Sequence, residues 1–204
     1  MNSFIPALSY ILVTTFTPGP NNTMSLVSGK NNGYFKSLRF MLGIFTGFFF
    51  IMILSGTFNK ILFSVFPSVK PYISIAGALY MLYLALNILK SDFGSQSYSS
   101  SFSFKKGLLL QFMNPKVIIY GLAVFGTFIT PNFDSVISSA FFALLLAFTS
   151  FTSISLWALT GSKLSSVINK YPLVFNILTA GLMAFSSISI LYPFITSLLA
   201  VSPK

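Results

Sequence analysis

The chain has 204 residues, of which 54% are hydrophobic and 7% are charged, and its mean hydropathy is +0.84. A soluble core does not need that much apolar surface, so the composition predicts an integral membrane protein. The net charge of +10 comes from 12 Lys and Arg against 2 Asp and Glu, and both Cys and His are absent. The sequence therefore excludes disulfides, thiol redox chemistry and thiolate metal sites.

Apolar runs along the chain approach or reach the length of about 20 residues that crosses a bilayer. They lie at 4–27, 40–58, 71–89, 107–129, 136–160 and 171–200. The sequence therefore predicts an all-α integral membrane protein with six transmembrane helices and almost no domain outside the lipid bilayer.

A proline motif, Thr-Pro-Gly-Pro-Asn-Asn at 17–22, interrupts the first run. Proline removes a backbone donor and clashes with the preceding turn, so one half-helix ends here and another begins. Gly19 lets another backbone approach closely. The N–H groups of Asn21, Asn22 and Thr23 then face the break without helical partners. The motif predicts a broken helix 1 with a positive end at the break.

A Ser-rich polar stretch at 91–104 divides the predicted helices three and three. We therefore predict one transporter domain, 1–204, with a first repeat at 1–90, a cytoplasmic linker at 91–106 and a second repeat at 107–204. An odd number of helices per repeat inverts the second repeat, as in many secondary transporters. The predicted architecture is a 3+3 inverted repeat with broken helices 1 and 4.

The second break is Gln-Phe-Met-Asn-Pro-Lys at 111–116. Pro115 suits the first position of a helix, and Asn114 suits its N-cap, accepting from the N–H of Lys116 or Val117. Both breaks fall near one depth of a core about 30 Å thick. Two positive helix ends at one depth make an anion site that a carboxylate fits. The alternative is that both breaks are packing kinks satisfied by neighbouring helices.

Lys116 lies inside the fourth span, where a charged side chain costs about 3 kcal/mol or more. The only acids, Asp92 and Asp134, lie in predicted connections. Three ways of compensating the charge are open, namely a ligand carboxylate, backbone carbonyls of the broken segment, or deprotonation. Snorkelling to the interface is the alternative. Gln111 and Tyr120 lie about one turn away on either side, as cavity lining or as interhelical contacts.

The predicted site therefore belongs to a binding protein rather than an enzyme. Without Cys, His or an intramembrane carboxylate, the chain lacks the usual acid–base pairs, nucleophile dyads and metal ligands, so we predict no catalytic residue, no metal site and no cofactor. The predicted substrate-binding residues are Pro18, Gly19, Pro20, Asn21, Asn22, Gln111, Asn114, Pro115, Lys116 and Tyr120.

The basic residues are unevenly distributed between the two sides of the predicted bundle. Eight flank the first, third and fifth connections, namely Lys30, Lys36, Arg39, Lys90, Lys105, Lys106, Lys163 and Lys170. Three flank the other side, namely Lys60, Lys70 and Lys204. The positive-inside rule then places both termini outside the cell. This scattered rim lacks the clustered patch that nucleic-acid binding requires.

The motifs resemble the LysE/RhtB family of amino-acid exporters over nearly the whole chain. The residues that carry the resemblance are 17–22, 110–116 and Trp-Ala-Leu-Thr-Gly at 157–161, and they look most like the cysteine and O-acetylserine exporter branch. The resemblance implies efflux of small neutral amino acids across a bacterial cytoplasmic (inner) membrane by proton antiport. A passive channel or a non-transporting scaffold is the alternative, and the oligomeric state stays open, a homo-oligomer included.

Overall fold

The computed structural model describes residues 4–58, 102–133 and 135–200, together with scattered positions between 72 and 89. All the regular secondary structure in these residues is helical, with no strand, which confirms the all-α prediction. The described positions of the predicted span at 71–89 are all helical, whereas 91–101 of the predicted linker lie outside the described residues.

The first predicted span is two helices, α1 (Phe4–Phe16) and α2 (Pro20–Asn32). The chain leaves α1 at Thr17 and begins α2 with Pro20 at its first position, as the sequence predicts. Gly33 follows with a φ of +76°, a conformation that favours glycine, and it turns the chain directly into α3.

Helix α3 (Tyr34–Thr57) begins earlier than the apolar run at 40–58, because its first turns carry Lys36 and Arg39 and need no hydrocarbon around them. In the second half, α4 (Phe104–Phe112) likewise begins before the predicted Gly107, because the Ser103 side chain accepts from the Lys106 N–H and caps the helix.

The fourth predicted span is broken where the sequence predicts. Helix α5 (Pro115–Val124) follows α4 after Met113 and Asn114, and it continues into a π-helical turn at Phe125–Ile129. The axes before and after the break differ by 62°. The bend has a local cause, because Pro115 lacks an N–H and cannot continue the ladder of α4.

Three helices complete the described chain, namely α6 (Val136–Lys163), α7 (Ser165–Lys170) and α8 (Pro172–Ala200). By length and composition α3 and α6 can each cross a membrane, and Phe104–Phe112 with Pro115–Ile129 adds a third span if the bent pair is one span. The described residues thus contain two or three candidate membrane spans.

Glycines bring α2 and α6 into backbone contact. A Cβ added to Gly29 would lie 1.9 Å from the Ala158 carbonyl oxygen, and one added to Gly161 would lie 2.1 Å from the Leu26 oxygen. No side chain fits in such a space, so the approach depends on glycine at both positions.

Helices α3 and α4 touch in the same way. A Cβ at Gly43 would lie 2.1 Å from the Phe104 oxygen, and one at Gly107 would lie 2.2 Å from the Phe40 oxygen. Gly43 belongs to a Gly-x-x-x-Gly spacing with Gly47, which suits close helix packing. Both glycine contacts lie towards the same end of the bundle, where the Tyr34 N–H donates to Ser162 Oγ at 3.3 Å.

Basic residues in the first or last turns of several helices also lie at that end of the bundle, and we call it the basic end. It comprises the last turn of α2, the first turns of α3 and α4, and the last turn of α6, with Lys30, Lys36, Arg39, Lys105, Lys106 and Lys163. Lys60, Lys70, Lys90 and Lys204 lie outside the described residues.

Two apolar clusters lie on either side of the helix breaks. One, towards the basic end, includes Met41, Ile44 and Ile154, and the other includes Met52 and Phe125, all of them fully or almost fully buried. The polar breaks are therefore enclosed between two hydrophobic layers.

Candidate functional site

Side chains from neighbouring helices satisfy the carbonyls that the first break leaves free. Asn22 Nδ2 donates to the carbonyls of Thr15 and Thr17, both at 2.9 Å. Ser153 Oγ of α6 lies within hydrogen-bond distance of the Thr15 oxygen at 3.0 Å and of Asn22 Oδ1 at 3.2 Å. Asn22, a predicted site residue, thus also stabilises the break by hydrogen bonds to its carbonyls. Ser153 contacts the same break, and the sequence did not indicate it.

The second break has the predicted cap. Asn114 adopts an extended backbone conformation, and its side-chain oxygen accepts from the Lys116 N–H at 3.2 Å. The prediction of Asn114 as N-cap and of Pro115 as first helical residue is confirmed. Since this cap occupies the start of α5, that helix end is already satisfied from within the chain.

Asn21 joins the two breaks directly. Its Nδ2 donates to Gln111 Oε1 at 2.8 Å, and its Oδ1 accepts from Gln111 Nε2 at 3.0 Å and from Asn114 Nδ2 at 3.1 Å. Residues about 90 positions apart in sequence therefore form one amide cluster, and all three side chains come from the predicted set.

Lys116 reaches back from α5 into the first break. Its Nζ donates to the Thr17 carbonyl at 3.1 Å, to Thr17 Oγ1 at 3.0 Å and to the Pro18 carbonyl at 3.3 Å. Of the three ways of compensating the charge that the sequence left open, the structure contains the second, carbonyls of the broken segment. Asp92 and Asp134 lie outside the described residues. Among the described residues, no cluster of metal-ligating side chains occurs.

A cavity of about 40 Å³ lies beside this lysine. It has room for a few water molecules. It is lined by Thr14, Thr15, Gly19, Pro20, Asn21, Asn22, Phe48, Asn114, Lys116, Val117, Tyr120 and Ser150.

The structure thus brings most of the predicted residues together at one cavity, but not all. Pro18, Gln111 and Pro115 lie outside its lining. Gln111 is fully buried and serves the amide cluster and the Gly107 carbonyl, which it reaches at 3.2 Å. Tyr120 lines the cavity as predicted, and Thr15 Oγ1 lies 3.5 Å from its hydroxyl.

The start of α2 opens onto the cavity without a cap. Gly19 is the N-cap residue and has no side chain to accept from the first N–H groups. No partner within the described residues bonds the N–H of Asn21 or Asn22. The expectation for Thr23 was wrong, because its N–H donates to the Gly19 carbonyl at 2.9 Å. Two free donors at a positive helix end suit a carboxylate or another small anion.

Gly19 also corrects an expectation about close approach. The neighbour is a side chain and not a backbone, since a Cβ on Gly19 would lie 3.2 Å from both Cδ and Nζ of Lys116. The small residue therefore makes room for the ammonium group beside the open helix end.

Five lining residues are not among the predicted site residues, namely Thr14, Thr15, Phe48, Val117 and Ser150. The hydroxyls of Ser150 and Ser153 are three residues apart on one face of α6, a spacing that indicates a shared polar face. The spacing shows that Ser150 and Ser153 share a face but not that this face points to the break, and nothing local singles out Phe48.

Comparisons with known proteins identify the family of the chain. The chain matches the family model of the LysE type translocator over residues 12–193. It is 31% identical over 185 residues to cysteine/O-acetylserine efflux proteins of Escherichia coli strain K12, Shigella flexneri serotype 5b strain 8401 and Shigella sonnei strain Ss046. Those matches cover 90% of this chain and 95% of each relative. No solved structure matches it. The chain is thus a member of the LysE type translocator family.

Proposed function

We propose that the protein is a secondary transporter that exports small neutral amino acids or their derivatives, of the cysteine and O-acetylserine class, by proton antiport. The class is the one that the names of its relatives state. The observation that carries the proposal is the contact of both helix breaks around Lys116, beside a cavity and the uncapped start of α2. Polar backbone at such a place in an apolar chain is typical of a transporter's binding site.

The chemistry of the cavity fits a small zwitterion. The free N–H groups of Asn21 and Asn22 suit its carboxylate, and carbonyl oxygens of the break suit its ammonium group. Hydroxyls of Thr14, Thr15 and Ser150 line the remainder, which suits a short polar side chain rather than a long or charged one. No lining residue carries a negative charge that would select a cationic amino acid.

The proposed architecture has six spans in two inverted repeats of three, in a bacterial cytoplasmic membrane. The proline break in the first helix of each half supports the repeat. The gathering of basic residues at one end of the bundle supports placing that end in the cytoplasm, with both termini outside.

The test is transport by the purified protein in liposomes. Labelled O-acetylserine inside protein-containing vesicles should exchange with unlabelled O-acetylserine outside, and a pH gradient should drive it uphill. Exchange without uphill movement would indicate a passive channel. No exchange with cysteine, serine or O-acetylserine, in vesicles that contain folded protein, would overturn the proposed function.

A further inference from the structure

The Lys116 ammonium is bound by as many acceptors as it has hydrogens. A charged lysine has three N–H donors and no acceptor, and the contacts of Nζ are the carbonyls of Thr17 and Pro18 and the hydroxyl Thr17 Oγ1. That hydroxyl donates its own hydrogen to the Thr14 carbonyl at 2.9 Å, so it faces Nζ as an acceptor. We call these three oxygens the oxygen cage.

The oxygen cage does not depend on Lys116 for its shape. The Thr17 carbonyl also accepts from Asn22 Nδ2 at 2.9 Å. Ser186 Oγ of α8 lies 3.2 Å from the Pro18 carbonyl oxygen, but its one hydrogen is shared with the Leu182 carbonyl at 2.9 Å. The Thr17 carbonyl is thus held in place from α2 and would stay in place if the lysine left. A vacated cage is a preorganised site for another small cation.

We propose that the oxygen cage is a shared cation site, occupied in turn by the Lys116 ammonium and by the α-ammonium group of the substrate. This rests on the proposed function. The two charged groups of an α-amino acid are attached to one carbon, and the cage lies directly before the free N–H groups of Asn21 and Asn22 in the chain. Gly19, the N-cap of α2, and Lys116 both line the cavity, and a Cβ on Gly19 would lie 3.2 Å from the Nζ that fills the cage. A substrate whose carboxylate binds those N–H groups therefore has its ammonium close to the cage.

Both cations cannot use three acceptors at once, so binding expels the lysine. Lys116 is partly exposed and can swing away, but the lining of the cavity offers no acid to pair with it. Tyr120 is the only other titratable side chain in the lining, and Tyr10 stacks on that ring at 6.2 Å. Without a counter-charge inside the apolar bundle, the neutral amine is favoured.

The proton balance follows. One N–H bond of the Lys116 ammonium breaks, its electron pair stays on Nζ, and the proton passes to water on the side from which the substrate came. After the substrate leaves on the other side, Nζ takes a proton from that side and returns to the oxygen cage. The loaded carrier is neutral at this lysine and the empty carrier is charged, so one proton enters for each zwitterion exported. This competition has the sign that antiport requires.

Proton release on binding is the first measurement, and it needs no variant. Wild-type protein in weakly buffered detergent is mixed with L-cysteine under a reductant, which the cysteine-free chain tolerates. We expect one proton to be released for each cysteine bound. The apparent Kd for cysteine should therefore fall about tenfold for each unit that the pH rises, over the pH range in which Lys116 is charged in the empty protein. Binding without proton release would overturn the inference.

Two variants separate competition from simple attraction. Lys116→Met removes the competing cation, so it should bind cysteine more tightly than wild type at pH 6, lose the pH dependence, and fail to concentrate substrate against its gradient. Lys116→Arg cannot deprotonate and should keep the cage filled, which lowers exchange at least about tenfold at every pH. If Lys116 only anchors the substrate carboxylate, the two variants change places. Lys116→Met then loses cysteine binding and exchange, and Lys116→Arg retains them.

Refutation of the shared cation site can be distinguished from refutation of the proposed function. If wild-type vesicles exchange cysteine and the variants follow the reverse order, only the shared cation site is refuted. If wild-type vesicles exchange none of the amino acids tested, the proposed function itself falls.

Discussion

The glycine contact between α2 and α6 makes a strong prediction about Gly161→Ala. The added Cβ would lie 2.1 Å from the Leu26 carbonyl oxygen, against an ordinary contact of 3.4 Å or more, and its other near neighbour is the Lys30 backbone nitrogen at 3.0 Å. Both neighbours are backbone atoms, so no rotamer change relieves the clash, and the helices must separate by about 1 Å.

Overpacking of this kind costs about 1–3 kcal/mol. Gly181→Ala in α8 is the matched control, because a Cβ there meets none of the described residues within 4 Å. On intrinsic helix propensity alone the control should gain up to about 1 kcal/mol. The two glycine-to-alanine changes therefore differ in sign, although their chemistry is identical.

The assay uses the absence of cysteine from the chain. Ser25→Cys places a thiol one turn before Gly29, at a fully buried position whose hydroxyl has no partner within the described residues. If this helix contact opens during transport, a bias of 1–3 kcal/mol raises the open population about 5–150-fold, and labelling of the thiol rises with it. Equal stability of Gly161→Ala and Gly181→Ala would contradict the backbone clash, and a less stable Gly161→Ala without any increase in labelling would contradict opening at this contact.

Three further predictions concern the breaks and the orientation. Asn21→Ala removes three interhelical hydrogen bonds. A double-mutant cycle with Gln111→Ala, measured by unfolding in detergent, should give a coupling energy of about 1 kcal/mol. Additive effects of the two substitutions would contradict the amide cluster. Gly19→Asp places a fixed carboxylate at the start of α2 and should weaken exchange at least about tenfold, or about 1.4 kcal/mol, relative to the uncharged Gly19→Asn. A single cysteine introduced within 91–104 should resist impermeant thiol reagents in intact cells while one beside Lys204 reacts, and the opposite pattern would reverse the proposed orientation.

The positions of the breaks could be predicted because their causes are local. Pro20 and Pro115 act on the turn that precedes them, and Asn114 caps a donor only two residues away. Interactions of this range are encoded in consecutive residues, so the sequence alone gives them. The same reasoning explains why α4 began early, since the Ser103 cap lies ahead of the apolar run.

The partners across helices could not be predicted, because they depend on how each helix is rotated. A helix that is apolar all round has no stripe that fixes its inward face. Gln111 therefore could be placed near Lys116 in sequence, but its pairing with Asn21 could not be anticipated. The roles of Ser153 and Ser186 were missed for the same reason, since each reaches the break from a separate helix.

The position of the cavity relative to the glycine contacts indicates which step of a transport cycle this conformation resembles. Towards the basic end, the helices are in backbone contact at Gly29 and Gly43, whereas the cavity is lined by Thr14 before the first break and Tyr120 after the second, on the other side. With the proposed orientation, these contacts lie on the cytoplasmic side of the site. Lys116 fills the oxygen cage in this conformation, which is what the proposed cycle requires of a carrier that has released its substrate outside and taken up a proton there. The contacts of Lys116 thus agree with one step of the proposed cycle, the empty and protonated carrier before its return.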